Sequence, residues 1–366
     1  MRRELSIYLD LTRILAAMLV FTGHADDLTN HMFHSVGNHA RGAVAIFFVL
    51  SGFVISFVAR TREQSTLTYA CARAVRIYSV AIPALLVTFL ADSIGWKVMP
   101  TYYEAKLYFD NYNIGLEIIS SMLFIGEFWN INLFAGSNQP YWSINFEVWY
   151  YILFGIMIFG PKLKKWLLFA FVALVVGPKV MIYFPLWLLG ALCYSVIDTE
   201  YVTALRYRIV SGLAILASAP LPYLIMKHLV GGDIIAYEMY DTPAFDRHTF
   251  HAWAFFLFLG LSFSLTLLGV DILAPYLTRA AKAVERPIRW FAGATFTIYL
   301  THLPILLLFA ALSSRLDDAI RGPLIVVGTL IATLFLAEVG ERRKNLWRRL
   351  GILLLGPRLP NRAVDP

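Results

Sequence analysis

The chain has 366 residues, of which 59% are apolar and only 15% charged, with a mean hydropathy of +0.65 and a net charge of +7. Soluble domains carry roughly 25% charged residues, so this composition excludes a soluble globular protein. The basic excess does not point to nucleic acid, because membrane proteins gather Lys and Arg in their cytoplasmic loops.

Apolar runs of about span length recur along the whole chain, which predicts an all-α polytopic membrane protein, a bundle of about ten transmembrane helices. The spans are expected at about 5–24, 42–60, 77–95, 141–160, 164–177, 180–197, 208–229, 249–270, 288–311 and 322–341. The Arg2-Arg3 start is like that of a signal peptide, but Asp10 and Arg13 interrupt the apolar region, so it reads as a retained first span. The stretch 116–134 is apolar yet broken by Glu127, Asn130 and Asn132, and reads as a re-entrant or interfacial segment. The span at 164–177 is short and ends on Gly177-Pro178. With the N-terminus in the cytoplasm, 22 of the 31 Lys and Arg fall in inside segments, 8 fall outside, and Arg13 lies within a span. That asymmetry predicts both termini inside. The larger outside loops, 96–115 and 230–248, hold Tyr102, Tyr103, Asp233, Glu238, Asp241 and Asp246. They read either as an acceptor surface or as plain solvated loops.

Ionisable residues inside spans need a partner or a use. In the first span, Arg13 and His24 are eleven residues apart, which puts them on one helix face about 16 Å apart along the axis. Asp10, three residues before Arg13, lies on the adjacent turn. Either Asp10 and Arg13 neutralise each other while His24 caps the helix, or the three belong to a site. His31 and His34 have a metal-like gap, but no carboxylate or cysteine pattern completes a set, and no metal is assigned. Gly42, Ser51 and Gly52 in the second span favour close helix approach. Arg73 and Arg76 share a face; they are either a positive-inside signal or a bidentate phosphate clamp. Cys71 and Cys193 are too few for a disulfide framework and lack metal-type spacing. In the fourth span Ser143 and Glu147 share a face, and Trp142, Tyr150 and Tyr151 read as an aromatic belt. Glu147 pairs with a basic residue either for packing or for chemistry. His302 in the ninth span is either satisfied by a hydroxyl such as that of Thr301 or functional.

Together these residues resemble the acyltransferase-3 family of integral membrane acyltransferases. In that family a Leu-Asp-x-x-Arg precedes an Arg-x10-His motif in the first span; here Leu9-Asp10 and Arg13 are followed by ten residues and His24. The likeness continues through Phe47–Phe53 in the second span, Arg73-x-x-Arg76-Ile77, Trp142-Ser143 with Glu147, and 298–304, covering about positions 5–310. Two positions depart from the pattern: Ala45 stands where many members have an acidic or polar residue, and Pro83 follows Arg76-Ile77 later than usual.

The resemblance implies a membrane-embedded acyltransferase domain over 1–341, with a short basic cytoplasmic tail at 342–366. It implies transfer of an acyl group, commonly acetyl, from cytosolic acyl-CoA to a hydroxyl of a carbohydrate, glycolipid or small hydroxylated acceptor at the plasma (bacterial inner) membrane. Acyl-CoA is then a co-substrate, with no bound cofactor, no metal and no nucleic acid; separate proteins supply any second catalytic step. His24, Arg13 and Glu147 are the expected catalytic residues, with His24 as general base or, less favoured, a transient acyl carrier. Arg73, Arg76 and Ser51 are expected at the donor, and Asp10, Trp142, Ser143 and His302 in structural or acceptor support. A transporter or flippase whose polar residues line an aqueous path is the main alternative; a scaffold that kept the fold and lost the chemistry is another.

Overall fold

The computed structural model describes all residues except 38, 64, 102, 104–112, 200–206, 231–246, 344, 345, 348 and 350–366. Half of the expected loop at 96–115 and most of the loop at 230–248 and of the tail thus lie outside the described residues, among them Tyr102, Asp233, Glu238, Asp241 and Asp246. The described residues contain no strand, and the protein is an all-α polytopic membrane fold. The helices are α1 (Arg3–Asp26), α2 (Ala40–Thr61), α3 (Thr66–Val98), α4 (Ile114–Leu123), α5 (Trp142–Phe159), α6 (Lys165–Val176) and α7 (Phe184–Ile197). They continue with α8 (Arg208–Ser218), α9 (Leu221–Val230), α10 (Arg247–Leu273), α11 (Thr278–Ala292), α12 (Thr295–Leu312) and α13 (Asp318–Val339).

Nine helical stretches among the described residues are long and apolar enough to cross a membrane. The tenth expected span, 164–177, is the twelve-residue helix α6. At 1.5 Å per residue it covers about 18 Å, against a hydrocarbon core of about 30 Å. Gly177, at φ +83°, turns the chain into the short helix Pro178–Met181. The span expected at 288–311 is divided. Residues 288–292 close the amphipathic α11, whose charges include Arg286 and Arg289, and α12 begins only at Thr295 after an Ala292-Gly293-Ala294 turn. The span expected at 77–95 starts earlier. The Ser65 hydroxyl accepts from the Thr68 amide while the Thr68 hydroxyl accepts from the Ser65 amide, a capping box that opens α3 at Thr66. Arg73 and Arg76 therefore lie on one helix, as their shared face requires.

The chain divides into two compact units, with α1 contributing Met1–Ala16 to the first and the remainder to the second. The first unit also holds Arg41–Gln64 and Ala173–Ala292. Its tightest contact joins α2 to α7. A Cβ on Gly52 would lie 1.9 Å from the Trp187 carbonyl oxygen, and a Cβ on Gly190 would lie 1.9 Å from that of Val49. Only glycine at both positions lets the two backbones touch. Charged residues bind the start of α1 to α11: Arg3 donates to Glu285, and Arg289 donates to Asp10 at 2.8 Å and to Glu285 at 3.1 Å. The hydrogen bond from Arg3, reinforced by Arg289, holds the Glu285 carboxyl below its usual range. This clasp is present at neutral pH and is lost only as pH falls through that lowered value.

The second unit comprises Ala17–Ala40, Ser65–Val172 and Gly293–Pro366. Its axis is α12, buried along most of its length and packed against α3 and α13. The core between α12 and the end of α1 contains Phe21, Ala25, Leu303, Leu306, Leu307 and Ala310. Within 116–134, α4 has only ten residues and stops at Phe124, whose φ of 56° is left-handed. The irregular chain that follows is held by side chains. Trp149 Nε1 donates to the Phe124 carbonyl at 2.7 Å, Tyr78 to that of Met122 at 3.0 Å, and Asp92 accepts from the Ser137 amide at 2.9 Å. Non-helical backbone survives in such a protein only when its polar groups are satisfied in this way.

The Gly52–Gly190 contact leaves no room for a methyl group. Gly190→Ala is expected to lower stability by about 1–3 kcal/mol, read as a reduced melting temperature of the purified protein in detergent. An unchanged melting temperature would mean that this crossing does not lock the unit.

Candidate active site

Six of the ten residues singled out from the sequence, His24, Arg73, Arg76, Ser143, Glu147 and His302, are linked to one another within the second unit, and Trp142 lies beside them on α5. His302 sits in the middle of α12 and is fully buried. Its Nδ1 lies 3.0 Å from the Ile298 carbonyl and 2.9 Å from the Tyr299 carbonyl, so Nδ1 carries the proton and donates it to the helix backbone. That tautomer leaves Nε2 a pure acceptor, and Nε2 has no hydrogen-bond partner. The His24 ring lies beside that of His302, with centroids 5.2 Å apart at 46°. The hydroxyl expected to satisfy His302 is occupied elsewhere, since Thr301 donates to the Thr297 carbonyl at 2.8 Å.

Pro304 shapes the same turn. A proline two residues beyond His302 has no N–H to give to the Leu300 carbonyl four residues back. Asn138, itself fully buried, supplies the missing donor: its Nδ2 reaches the Leu300 carbonyl at 2.7 Å and the Thr88 hydroxyl at 3.0 Å. The irregular segment before α5 is thereby tied to α12 and α3 beside the histidine.

From His302 a run of polar side chains leads to the arginines. Tyr299, one turn before His302, shares a hydrogen bond of 2.8 Å with the Ser143 hydroxyl. Ser143 and Glu147 are one turn apart on α5, and the Glu147 carboxylate is within electrostatic reach of Tyr299. Tyr151, a further turn along, donates to Glu147. Arg76 hydrogen-bonds Tyr151, feels the charges of Glu147 and Glu341, and lies 5.9 Å from the centre of the Phe296 ring. Arg73 lies over Tyr151 at 5.9 Å and over Tyr69 at 5.8 Å. Both guanidiniums thus meet Tyr151, Arg73 by a cation–π contact with its ring and Arg76 by a hydrogen bond with its hydroxyl. Glu341 accepts from the Thr297 amide at 2.9 Å and so binds the first turn of α12 to the same group of charges.

The aromatic belt expected of Trp142, Tyr150 and Tyr151 is not formed, because all three are buried in the protein. Asp10, Arg13 and Ser51 belong to the first unit. Asp10 pairs with Arg13 at 3.5 Å, as its spacing suggested, but more closely with Arg289 at 2.8 Å, a partner that no local pattern reveals. The Ser51 hydroxyl accepts from Trp187 Nε1 at 3.1 Å. Tyr151, Tyr299 and Glu341 carry contacts that the sequence reading did not assign to them. For the tyrosines a signal was present, since Tyr151 is four residues after Glu147 and Tyr299 three before His302, each on the face of its partner.

Apolar helices that enclose such a chain of imidazoles, phenols, carboxylates and guanidiniums define a multi-pass membrane protein with an internal polar site. The model of an acyltransferase domain, that of the acyltransferase-3 family, matches residues 6–338. The chain therefore belongs to this family of membrane acyltransferases. No curated protein and no solved structure matches it.

Removing one charge from this group should unbalance the rest. Glu147→Gln is expected to leave the protein folded but less stable by about 2 kcal/mol, because Arg76 and Tyr151 lose an ionised partner. Thermal unfolding of the purified variant checks this. A wild-type melting curve would show that Glu341 alone suffices for Arg76.

Proposed function

We propose that the protein transfers an acyl group, most simply acetyl, from acyl-CoA to a hydroxyl of a carbohydrate or similar acceptor, with His24 as the base. The observation that carries this reading is the His24–His302 pair with its unpartnered Nε2. A hydroxyl has too high a pKa to attack a thioester unaided, and a neutral imidazole takes its proton as attack proceeds. With His302 Nδ1 committed to its own helix backbone, an N–H from the neighbouring His24 ring would go to Nε2 and so fix the His24 tautomer. As a base, His24 takes the acceptor's proton at its other ring nitrogen.

The acceptor oxygen bonds to the thioester carbon while its proton passes to His24. The tetrahedral adduct collapses, the carbon–sulfur bond breaks, and the His24 imidazolium returns the proton to the departing thiolate. His302 acts through His24 and is a positioning residue. Arg73 and Arg76 suit the phosphates of the donor, which planar guanidiniums bind bidentately. The phenols and hydroxyls from Tyr151 through Glu147 and Ser143 to Tyr299 form a polar route along which the arm carrying the thioester extends toward His24. From the family resemblance, Arg13 is proposed as a catalytic residue, Ser51 as a donor residue and Asp10 as structural support. Trp142 supports the α5 side of the site.

In this reading both termini face the cytoplasm of a cell bounded by its plasma membrane, in keeping with the 22 basic residues assigned inside. An even number of crossings is then required, and the short helix α6 is the segment on which that parity turns. His24, at the far end of α1 from the N-terminus, lies toward the outer face, where a glycan acceptor is met. Separate proteins carry out any second catalytic step.

Purified protein with labelled acetyl-CoA and glycan acceptors tests the chemistry. His24→Ala should lower transfer by about 10²–10⁴-fold, whereas His302→Phe should lower kcat with little change in the donor KM. Full transfer by His24→Ala would overturn the mechanism. In contrast, Arg73→Gln with Arg76→Gln should raise the donor KM by about tenfold and leave kcat within a few-fold. An unchanged donor KM would remove the clamp.

A further inference from the structure

Beyond His24 the chain makes a tight turn that the acyl-transfer reading does not use. Asp26 closes α1 with its side chain largely buried. One of its oxygens, Oδ1, accepts from the Phe33 amide at 2.8 Å. The other, Oδ2, lies 3.1 Å from His31 Nδ1 and 3.5 Å from His34 Nδ1. The three atoms all fall within 4.8 Å of one another. In a tetrahedral zinc site with bonds of about 2.0–2.1 Å, neighbouring ligand atoms are about 3.3 Å apart. The Asp26–His31 and Asp26–His34 separations bracket that value.

The backbone is bent to bring these groups together. Asn30 and His31 both adopt left-handed φ angles, 50° and 58°, which non-glycine residues seldom take in succession. The turn is closed by the His31 amide on the Asp26 carbonyl at 3.0 Å. It is anchored to the start of α13 by Asn30 Nδ2 on Asp318 at 2.7 Å. The two imidazoles meet edge to face at 84° and are mostly exposed, with side-chain exposures of 65% and 70%. The Phe33 amide on Oδ1 orients the carboxylate so that Oδ2 faces both rings, as an outer-shell hydrogen bond does in metal sites.

We propose that Asp26, His31 and His34 bind a divalent cation of the zinc type, one that accepts two imidazole nitrogens and one carboxylate oxygen. The ion takes the place of the protons that otherwise bridge Nδ1 and Oδ2, and these leave to solvent. Its remaining coordination position faces outward and takes water. Asp26 is two residues after His24, some 200° around the helix, so the ion sits away from the His24–His302 face. Its effect is to clip the turn that follows the catalytic helix. The proposal is independent of acyl transfer, and a binding measurement decides it without any turnover.

The test uses the full chain in detergent, purified through a tag without histidines and stripped with EDTA, and titrates it with ZnCl2 by calorimetry. Saturable binding of one Zn2+ per chain is expected. His31→Ala and His34→Ala should each weaken it by at least about tenfold, while His24→Ala and His39→Ala retain wild-type affinity. Both ligand imidazoles are exposed, so their removal leaves the fold intact, and a melting curve without metal verifies it. Zn2+ should raise the melting temperature of the wild type and not that of the doubly substituted protein. Absence of saturable binding, or wild-type affinity in the His31→Ala/His34→Ala protein, would overturn the site and reduce the cluster to hydrogen bonds on Asp26.

Discussion

A hydrocarbon interior offers no water, so each polar group within it must be answered by another part of the chain. The second unit is organised around that demand. Pro304 leaves the Leu300 carbonyl without its helical donor and Asn138 meets it. Asn138 can do so because the preceding segment is not a helix, and that segment is held in turn by Trp149, Tyr78 and Asp92. The same demand fixes His302, whose one N–H is used by carbonyls of its own helix. What remains is a single acceptor nitrogen on a ring that lies beside a second imidazole. A histidine so committed is held in one orientation, the property asked of a group that positions a base.

The first unit meets a different constraint. Between lipid-like surfaces there is little hydrophobic gain in bringing helices together, so close packing has to supply the attraction. Gly52 and Gly190 allow α2 and α7 to touch backbone to backbone. The charged clasp of Arg3, Glu285, Arg289 and Asp10 then fastens the start of α1 to α11. Asp10 was readable as the partner of Arg13, and it is, yet its nearer partner comes from 279 residues away. Long-range pairing of that kind leaves no trace in local spacing.

Hydropathy and charge made the helical class and most of the spans legible, because a membrane helix must be apolar for about 20 residues whatever it packs against. Where the chain departs from that uniform demand, legibility fails. The α11–α12 division at Gly293 was hidden because the end of an amphipathic helix and the start of a buried one are both apolar. Of the site, the histidines, arginines and Glu147 could be named from the sequence, since ionisable groups in spans are few. Their order of contact could not, because Tyr151 and Tyr299 look like ordinary aromatics until their hydroxyl partners are seen. Asp26 was missed as a companion of His31 and His34 for a further reason. Two successive left-handed residues fold the chain back on itself, and no spacing rule anticipates that.

The length of α3 has its own consequence. Thirty-three residues make a rod of about 50 Å, well beyond the thickness of a hydrocarbon core of about 30 Å. Arg73 and Arg76 ride near its first turns, while Thr88, which touches Asn138, is more than three turns further on. Pro83 lies between them and removes one rung of the hydrogen-bond ladder, giving the rod a joint. The stretch before that joint carries the arginines, and the stretch after it is tied through Thr88 and Asn138 to the backbone of α12 two residues from His302. One helix therefore serves both ends of the polar group, and its proline lets each stretch take the direction its own partners require.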